Sequence, residues 1–211
     1  MSTSTTPPAW AEALLRAVLK PGDVDSVSGD LLEEYRESIY PIRGHRRADL
    51  WYVTQVFSFV APGARLGGAL FGAAFVARDA LDWFAPPLDF HARATVSTEL
   101  GVGIMLVTGS WAAWRCGSVF AGTLAGVATA VVGAVISILG AAALLAIWHD
   151  PPTFAAIRGS GGLGEVFTLP VMMVIPGFLL GTLGGVAGAV GRKWRSALAR
   201  DDTPARREGR S

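Results

Sequence analysis

The sequence predicts an all-α protein in which a four-helix transmembrane bundle follows a small helical cytoplasmic segment. Of its 211 residues, 51% are hydrophobic and only 17% are charged, whereas soluble domains average about 25% charged residues. The charged side chains concentrate toward the two ends of the chain. The 31 residues from Ser118 to Trp148 carry no charged side chain, and about 18 apolar residues already indicate a membrane span.

The region before the first span reads as short helices. Residues 1–8 are polar and predict a disordered lead, and residues 9–62 predict a helical segment at the cytoplasmic face of the membrane. Apolar residues between Trp10 and Leu19 recur at helical spacing. Pro21-Gly22 interrupts this helix, and Asp23 suits the cap of a second one. Pro41 and Gly44 end the second helix, and a third begins near Arg46.

Four spans are predicted in residues 63–191, at about 66–84, 99–114, 118–148 and 166–190. Pro62-Gly63 separates the first span from the helix before it, and Arg65 is placed at the interface, where its stem can snorkel. The connections are a loop at 85–98, a tight turn at 115–117 and a Pro/Gly-rich loop at 149–164. Residues 192–211 form a basic cytoplasmic tail.

The distribution of Lys and Arg predicts that both termini are cytoplasmic. Seven lie between the start of the chain and Arg65, seven lie in residues 192–211, and Arg115 is in the short turn. The other two connections share Arg78, Arg93 and Arg158. Because cytoplasmic segments carry the excess of positive charge, an even number of spans fits this pattern.

Glycine stripes predict close helix packing. Gly177, Gly181 and Gly185 recur every four residues in the last span, and Gly122 and Gly126 do so in the third. Small residues at this spacing let helix backbones approach in lipid. A compact intramolecular bundle, a homo-oligomer and docking onto another membrane protein all fit these stripes.

Four ionisable residues are predicted at membrane depth: Arg78, Asp79, Asp82 and Glu99. Charges within a span cost several kcal/mol on insertion scales. Arg78 and Asp82 are four residues apart, so they can pair on one helical face. One interpretation is an ion-pair cluster that holds the first span against the second at its outer edge. A proton or solute pathway is the alternative.

Motifs for catalysis and cofactor binding are missing from the sequence. Cys116 is the only cysteine, which excludes an internal disulfide and a cysteine-based zinc site, and the three histidines lack metal-ligand spacing. The glycines of 159–164 do not match a phosphate-binding loop. We therefore expect no enzyme, no catalytic residue, no metal and no cofactor. The basic tail has no aromatic stacking residue beyond Trp194, so a nucleic-acid partner is not expected.

The N-terminal segment resembles the permease prefix domain, a short helical module that precedes bacterial ABC-type permeases of the macrolide-exporter kind and also occurs in smaller membrane proteins. The resemblance covers residues 10–60, about a quarter of the chain. It rests on Leu14-Leu15-Arg16, Leu19, Pro21, Gly29-Asp30-Leu31, Glu33-Glu34-Tyr35, Ala48, Trp51-Tyr52 and Gln55-Val56. The chain lacks a large periplasmic domain and is too short for a permease subunit. The resemblance therefore implies association with a transport complex in the bacterial inner membrane, not transport by this chain.

Two functions remain open from the sequence. The first is an accessory or regulatory partner of a membrane transport complex. Its docking candidates are Asp30, Glu33, Glu34, Tyr35, Trp51, Tyr52 and Gln55, whose acidic members could also form an ordinary solvated helix face. The second is a small transporter or channel whose path is lined by Arg78, Asp79, Asp82 and Glu99.

Overall fold

The computed structural model describes residues 6–20, 22–86 and 89–201; of residues 60–62 and 199–201 it describes the backbone alone. Most of the predicted disordered lead, Pro21 and the tail beyond residue 201 lie outside this part. The described residues contain helices and no strand, which confirms the all-α prediction. The helices are α1 (Ala9–Val18), α2 (Val24–Glu34), α3 (Tyr40–Phe84), α4 (His91–Cys116), α5 (Val119–Ile147), α6 (Pro151–Gly159), α7 (Gly162–Met172) and α8 (Val174–Asp201).

Helices α1 and α2 and the first part of α3 form a compact N-terminal unit, residues 9–59, with an apolar core of its own. The core members with no exposed surface are Ala11, Leu15, Tyr35, Ala48, Tyr52 and Val56. Leu15 and Tyr52 meet because the helical spacing of α1 and α3 places each on the inner face of its helix. A π-helical turn, Tyr35–Ile39, joins α2 to α3.

Two breaks divide α3. Gly44 has φ 69° and ψ 168°, a conformation that favours glycine because a side chain there would be strained. The sequence predicted a helix end at Pro41 and Gly44. The backbone does leave the helical conformation at Gly44, whereas Pro41 lies in the first turn of α3. Further on, the segments Val24–Phe59 and Gly63–Phe84 are bent by 76° relative to each other. We call Gly63–Phe84 the second arm of α3.

The second arm of α3 packs with α4, α5 and α8 into a bundle. Its interior is built from small and weakly polar residues such as Gly122, Thr129 and Ser137, whereas large apolar side chains such as Leu139 and Leu183 point outward. This arrangement is typical of helices surrounded by lipid. Three described helical stretches are long and apolar enough to cross a membrane: α4 (His91–Cys116), α5 (Val119–Ile147) and Gly162–Leu198, in which α7 continues into α8. The bent pair Val24–Phe59 and Gly63–Phe84 adds a fourth candidate if it counts as one span.

The N-terminal unit contacts one end of the bundle, here called the proximal end. The Cys116 thiol, at the end of α4, donates a hydrogen bond of 2.8 Å to the carbonyl oxygen of Val18. The opposite, distal end contains the C-terminus of the second arm of α3, the start of α4 and the end of α5. Phe84 and Trp148 stack edge to face there, with ring centroids 4.8 Å apart.

The distal end is more helical than the sequence predicted. The supposed loop at 149–164 contains α6, which Asp150 caps by accepting a hydrogen bond from the Thr153 backbone N–H at 2.9 Å. Proline at the first helical positions fits such a start. Residues Ile157 of α6 and Val166 of α7 pack with Trp83 and Ala141 in a separate apolar cluster. Helix α4 likewise begins at His91 rather than near residue 99, because its polar first turns lie beyond the apolar stretch that marked the span.

Candidate functional site

The acidic docking candidates lie on the surface of the N-terminal unit. Asp30, Glu33 and Glu34 of α2 are exposed, and none of them forms an ion pair with another described side chain. Trp51 and Gln55 of α3 are half-buried. The three carboxylates form the surface that we call the acidic face.

Tyr35 and Tyr52 are not surface residues. Both are fully buried and stack edge to face with centroids 5.8 Å apart, so neither can contact a partner while the unit stays folded. They were docking candidates because Tyr35 belongs to the Glu33-Glu34-Tyr35 block and Tyr52 to the Trp51-Tyr52 pair of the pattern that resembles the prefix domain. Tyr35 lies four residues after Leu31, so both side chains lie on the inner face of the helix, opposite the exposed carboxylates.

Glu12 connects the three helices of the unit, and the sequence did not single it out. Its carboxylate accepts hydrogen bonds from the Ser28 hydroxyl at 2.6 Å, from the Tyr52 hydroxyl at 2.5 Å and from Arg16 Nε at 3.1 Å. These donors come from α2, α3 and α1. A signal existed in the sequence, since Glu12 is a lone acid beside the apolar stripe of α1.

The hydrogen bonds of Glu12 shift two titrations. Burial is the largest single influence on Glu12 and acts to raise its pKa, but the bonds from Ser28, Tyr52 and Arg16 together hold the pKa below its ordinary value. Burial, and then the bond to Glu12, raise the pKa of Tyr52 above its ordinary value. Tyr35 behaves in the same way because it is buried and donates to Asp49 Oδ1 at 2.7 Å.

The charges that the sequence placed at membrane depth lie at the distal end, where most of them form a network. Arg78, Asp79 and Asp82 are buried in the second arm of α3. Arg78 Nε lies 3.5 Å from Asp82 Oδ2, and Arg78 Nη2 donates to Glu165 Oε1 of α7 at 3.2 Å. Arg93 Nη1 of α4 donates to the other oxygen of Asp82, also at 3.2 Å. The network therefore joins three helices.

Glu99 does not belong to this network. It is exposed, lines a shallow groove between α3 and α4, and has no ion pair with any side chain that the structure describes. The grouping of Glu99 with Arg78, Asp79 and Asp82 is thus corrected. Arg93 and Glu165 take its place. The sequence missed them because they are 11 residues from Asp82 and 87 residues from Arg78.

The space beside the charge network is small. Arg78, Asp79, Ser160 and Glu165 line a cavity of about 10 Å³, which is about the room that one water molecule needs. Such an arrangement can hold a proton or a water molecule. A solute would require the helices to separate.

The predicted packing glycines lie where α5 meets α8. A Cβ atom added to Gly122 would come within 2.5 Å of the Gly185 Cα, and one added to Gly181 would come within 2.9 Å of the Gly126 Cα. Gly177 contacts the same helix through Ala130 and Gly126. These contacts are made within one chain, so the stripes serve the bundle itself.

No group of three or more metal-ligating side chains occurs in residues 6–20, 22–86 and 89–201. A comparison of the chain with protein-family models, with curated proteins and with solved structures gave no match.

Proposed function

We propose that the chain is a four-span protein of the bacterial inner membrane, with both termini in the cytoplasm, that acts as an accessory or regulatory partner of a membrane transport complex. In this proposal the bundle anchors the protein, and the acidic face of the N-terminal unit binds the partner. The bilayer is the second partner. The observation that carries the proposal is a compact N-terminal unit with its own apolar core, whose exposed carboxylates have no described ion-pair partner.

The orientation is supported by the basic residues that flank the bundle. Arg65, Arg115 and Arg192 lie at the proximal end, beside the N-terminal unit, and have no carboxylate partner among the described side chains. At the distal end, Arg78 and Arg93 are paired with acids. The positive-inside rule counts Lys and Arg whether or not they are paired. By this count the proximal end and the segments attached to it carry more basic residues than the distal end, which has Arg78, Arg93 and Arg158.

The docking role is supported by how the unit is built. Its inner polar group, Glu12, is satisfied by three donors, which fixes the relative positions of α1, α2 and α3. The acidic face is consequently presented on a defined surface rather than on a mobile tail. A surface of like charges steers a partner of opposite charge during encounter, so we expect a basic patch on the partner.

The transport alternative receives less support. A path lined by the four predicted charges would need Glu99 beside the others, and Glu99 lies apart from them. Arg78 and Arg93 are paired with Asp82 and Glu165, and the cavity beside them holds about one water molecule. This geometry fits a structural connection between α3, α4 and α7 better than a route for a solute.

The test is co-purification from native membranes in mild detergent, followed by mass spectrometry. The full chain would be compared with the variant Asp30→Asn/Glu33→Gln/Glu34→Gln, which neutralises the acidic face without touching the core. Glu99→Gln is the control, since it removes an exposed, unpaired carboxylate elsewhere. We expect subunits of one transport complex to co-purify with the full chain and with the control but not with the triple variant. Equal recovery with all three proteins would refute the docking role.

A further inference from the structure

A cavity of about 370 Å³ lies between the N-terminal unit and the proximal end of the bundle. Its volume falls within the range of about 300 to 1,000 Å³ that is typical of small-molecule sites. Apolar side chains form most of its wall, among them Leu19, Phe59, Ala64, Trp111 and Ala121. These residues come from α1, both parts of α3, α4 and α5, so the cavity exists only where the unit meets the bundle.

Three cationic side chains lie in the wall of this cavity or next to it. Lys20 and Arg115 line it. Arg192 of α8 lies beside it and donates from Nη1 to the Arg115 carbonyl oxygen at 3.1 Å. These three are also the charged groups that act electrostatically on the Cys116 thiol, which is part of the cavity wall.

Contacts hold Arg115 and Arg192 in place, and no described carboxylate neutralises any of the three cations. The Arg115 guanidinium stacks on the Trp111 ring, 4.7 Å from its centroid. No ion pair joins Lys20, Arg115 or Arg192 to a described carboxylate. Asp23 is the one acidic side chain in the cavity wall. Three positive charges against one negative charge leave a net attraction for an anion at the end of an apolar cavity.

We propose that this cavity binds an anionic phospholipid, with its phosphate between Lys20, Arg115 and Arg192 and one acyl chain in the apolar space. Guanidinium groups bind phosphate oxygens through charge-assisted hydrogen bonds. Basic pockets at the cytoplasmic ends of membrane helices suit anionic headgroups, because the lipid places its charge and its apolar chain at these two levels. The site depends on membrane insertion and is independent of any protein partner.

The first experiment is native mass spectrometry of the delipidated full chain with added phosphatidylglycerol or phosphatidylcholine of identical acyl chains. Each cation near an anionic headgroup contributes about a fivefold gain in affinity. Two uncancelled cations therefore predict a preference of about 25-fold for phosphatidylglycerol. Arg115→Gln/Arg192→Gln leaves only Lys20 against Asp23 and should abolish the preference. Lys193→Gln/Arg195→Gln, at exposed positions nearby, should leave the preference unchanged.

The second experiment needs no change in the cationic residues. Cys116 is the only cysteine of the chain and lines the cavity, so its alkylation by a maleimide reports occupancy. We expect alkylation to be slower in nanodiscs with phosphatidylglycerol than in phosphatidylcholine nanodiscs, by up to the affinity difference of about 25-fold. Millimolar inorganic phosphate, added to phosphatidylcholine nanodiscs, should not reproduce the protection. Ala64→Leu, which fills the cavity, should abolish the difference between the two lipids.

Either of two results would overturn the proposal. One is equal binding of the two lipids by the unaltered chain together with equal alkylation rates. The other is protection by free phosphate as strong as that by the anionic lipid, which would assign the site to a soluble anion. A failure of the transport-partner proposal would not affect these readouts, because the protein is studied without any partner.

Discussion

The contact between Glu12 and Tyr52 can be tested by a double-mutant cycle. Tyr52→Phe removes one donor from the Glu12 carboxylate, and Glu12→Gln removes its charge. Hydrogen bonds to charged groups contribute about 1.5–3 kcal/mol. Because Ser28 and Arg16 still satisfy the carboxylate in Tyr52→Phe, we expect a loss near the lower limit, about 1.5 kcal/mol, and a loss of about 2 kcal/mol for Glu12→Gln.

The two changes should not be additive. Once Glu12 is neutral, removing the Tyr52 hydroxyl should matter much less, so the coupling free energy is expected to be about 1–2 kcal/mol. The assay is hydrogen exchange of peptides from residues 9–59 in the full chain, in nanodiscs, because exchange reports the free energy of local opening. A loss of about 1.4 kcal/mol corresponds to a tenfold faster exchange.

The control for this cycle is Tyr40→Phe. Tyr40 belongs to the same unit and contacts the Tyr35 and His45 rings, but its hydroxyl has no hydrogen bond to a described residue. Its removal should leave exchange unchanged within about 0.5 kcal/mol. Strict additivity of Glu12→Gln and Tyr52→Phe would refute the central role of Glu12 in the unit.

Four further outcomes are expected. The folded pKa of Glu12 lies below its ordinary value of 4.5, so its contribution to stability is complete at a pH above that value and is lost as the pH falls through the lowered pKa. Exchange measured from about pH 6 to about pH 3 should show this loss in the full chain and not in Glu12→Gln. Asp82→Asn should lower the melting temperature in detergent by several degrees, because breaking a buried ion pair costs about 3–5 kcal/mol and both Arg78 and Arg93 lose a partner. Glu99→Gln should change the melting temperature little, and equal effects of the two substitutions would contradict the network. Gly122→Ala should destabilise the bundle because its Cβ would meet the Gly185 backbone, whereas Gly103→Ala, with open space around it, should be neutral or stabilising by up to about 1 kcal/mol. Thermal unfolding in detergent measures both effects, and an equal response would contradict the close α5–α8 packing. Ser26→Cys and Asp89→Cys would each be introduced into a chain in which serine replaces Cys116. In intact spheroplasts a membrane-impermeant maleimide should react with the cysteine at position 89 and not with the one at position 26; the reverse result would invert the proposed topology.

The sequence predicted the apolar helices well because their signal is local. The uncharged run of 31 residues coincides with α5, and Gly44 marked a real break in α3. Helix α6 was missed because a Pro/Gly-rich segment reads as a loop, although Asp150 followed by Pro151 is also a signal for a helix start.

The candidate sites were predicted less completely because they depend on contacts between distant parts of the chain. Exposure of Asp30 and Glu33 followed from their charge, but the burial of Tyr35 and Tyr52 required knowledge of how α2 packs on α3. The link from Arg78 to Glu165 spans 87 residues, and no pattern within α3 specifies it. The proximal cavity likewise arises only when the N-terminal unit meets the bundle.

Site-specific photo-crosslinking in living cells tests the docking role most directly. A photoreactive amino acid would replace Glu33 in one experiment and Asp89 in another. In the proposed topology these two positions lie on opposite sides of the membrane. We expect the Glu33 position to crosslink to a subunit of a transport complex and the Asp89 position not to do so. Crosslinks from the Glu33 position only to lipid or to a second copy of this chain would refute the docking role.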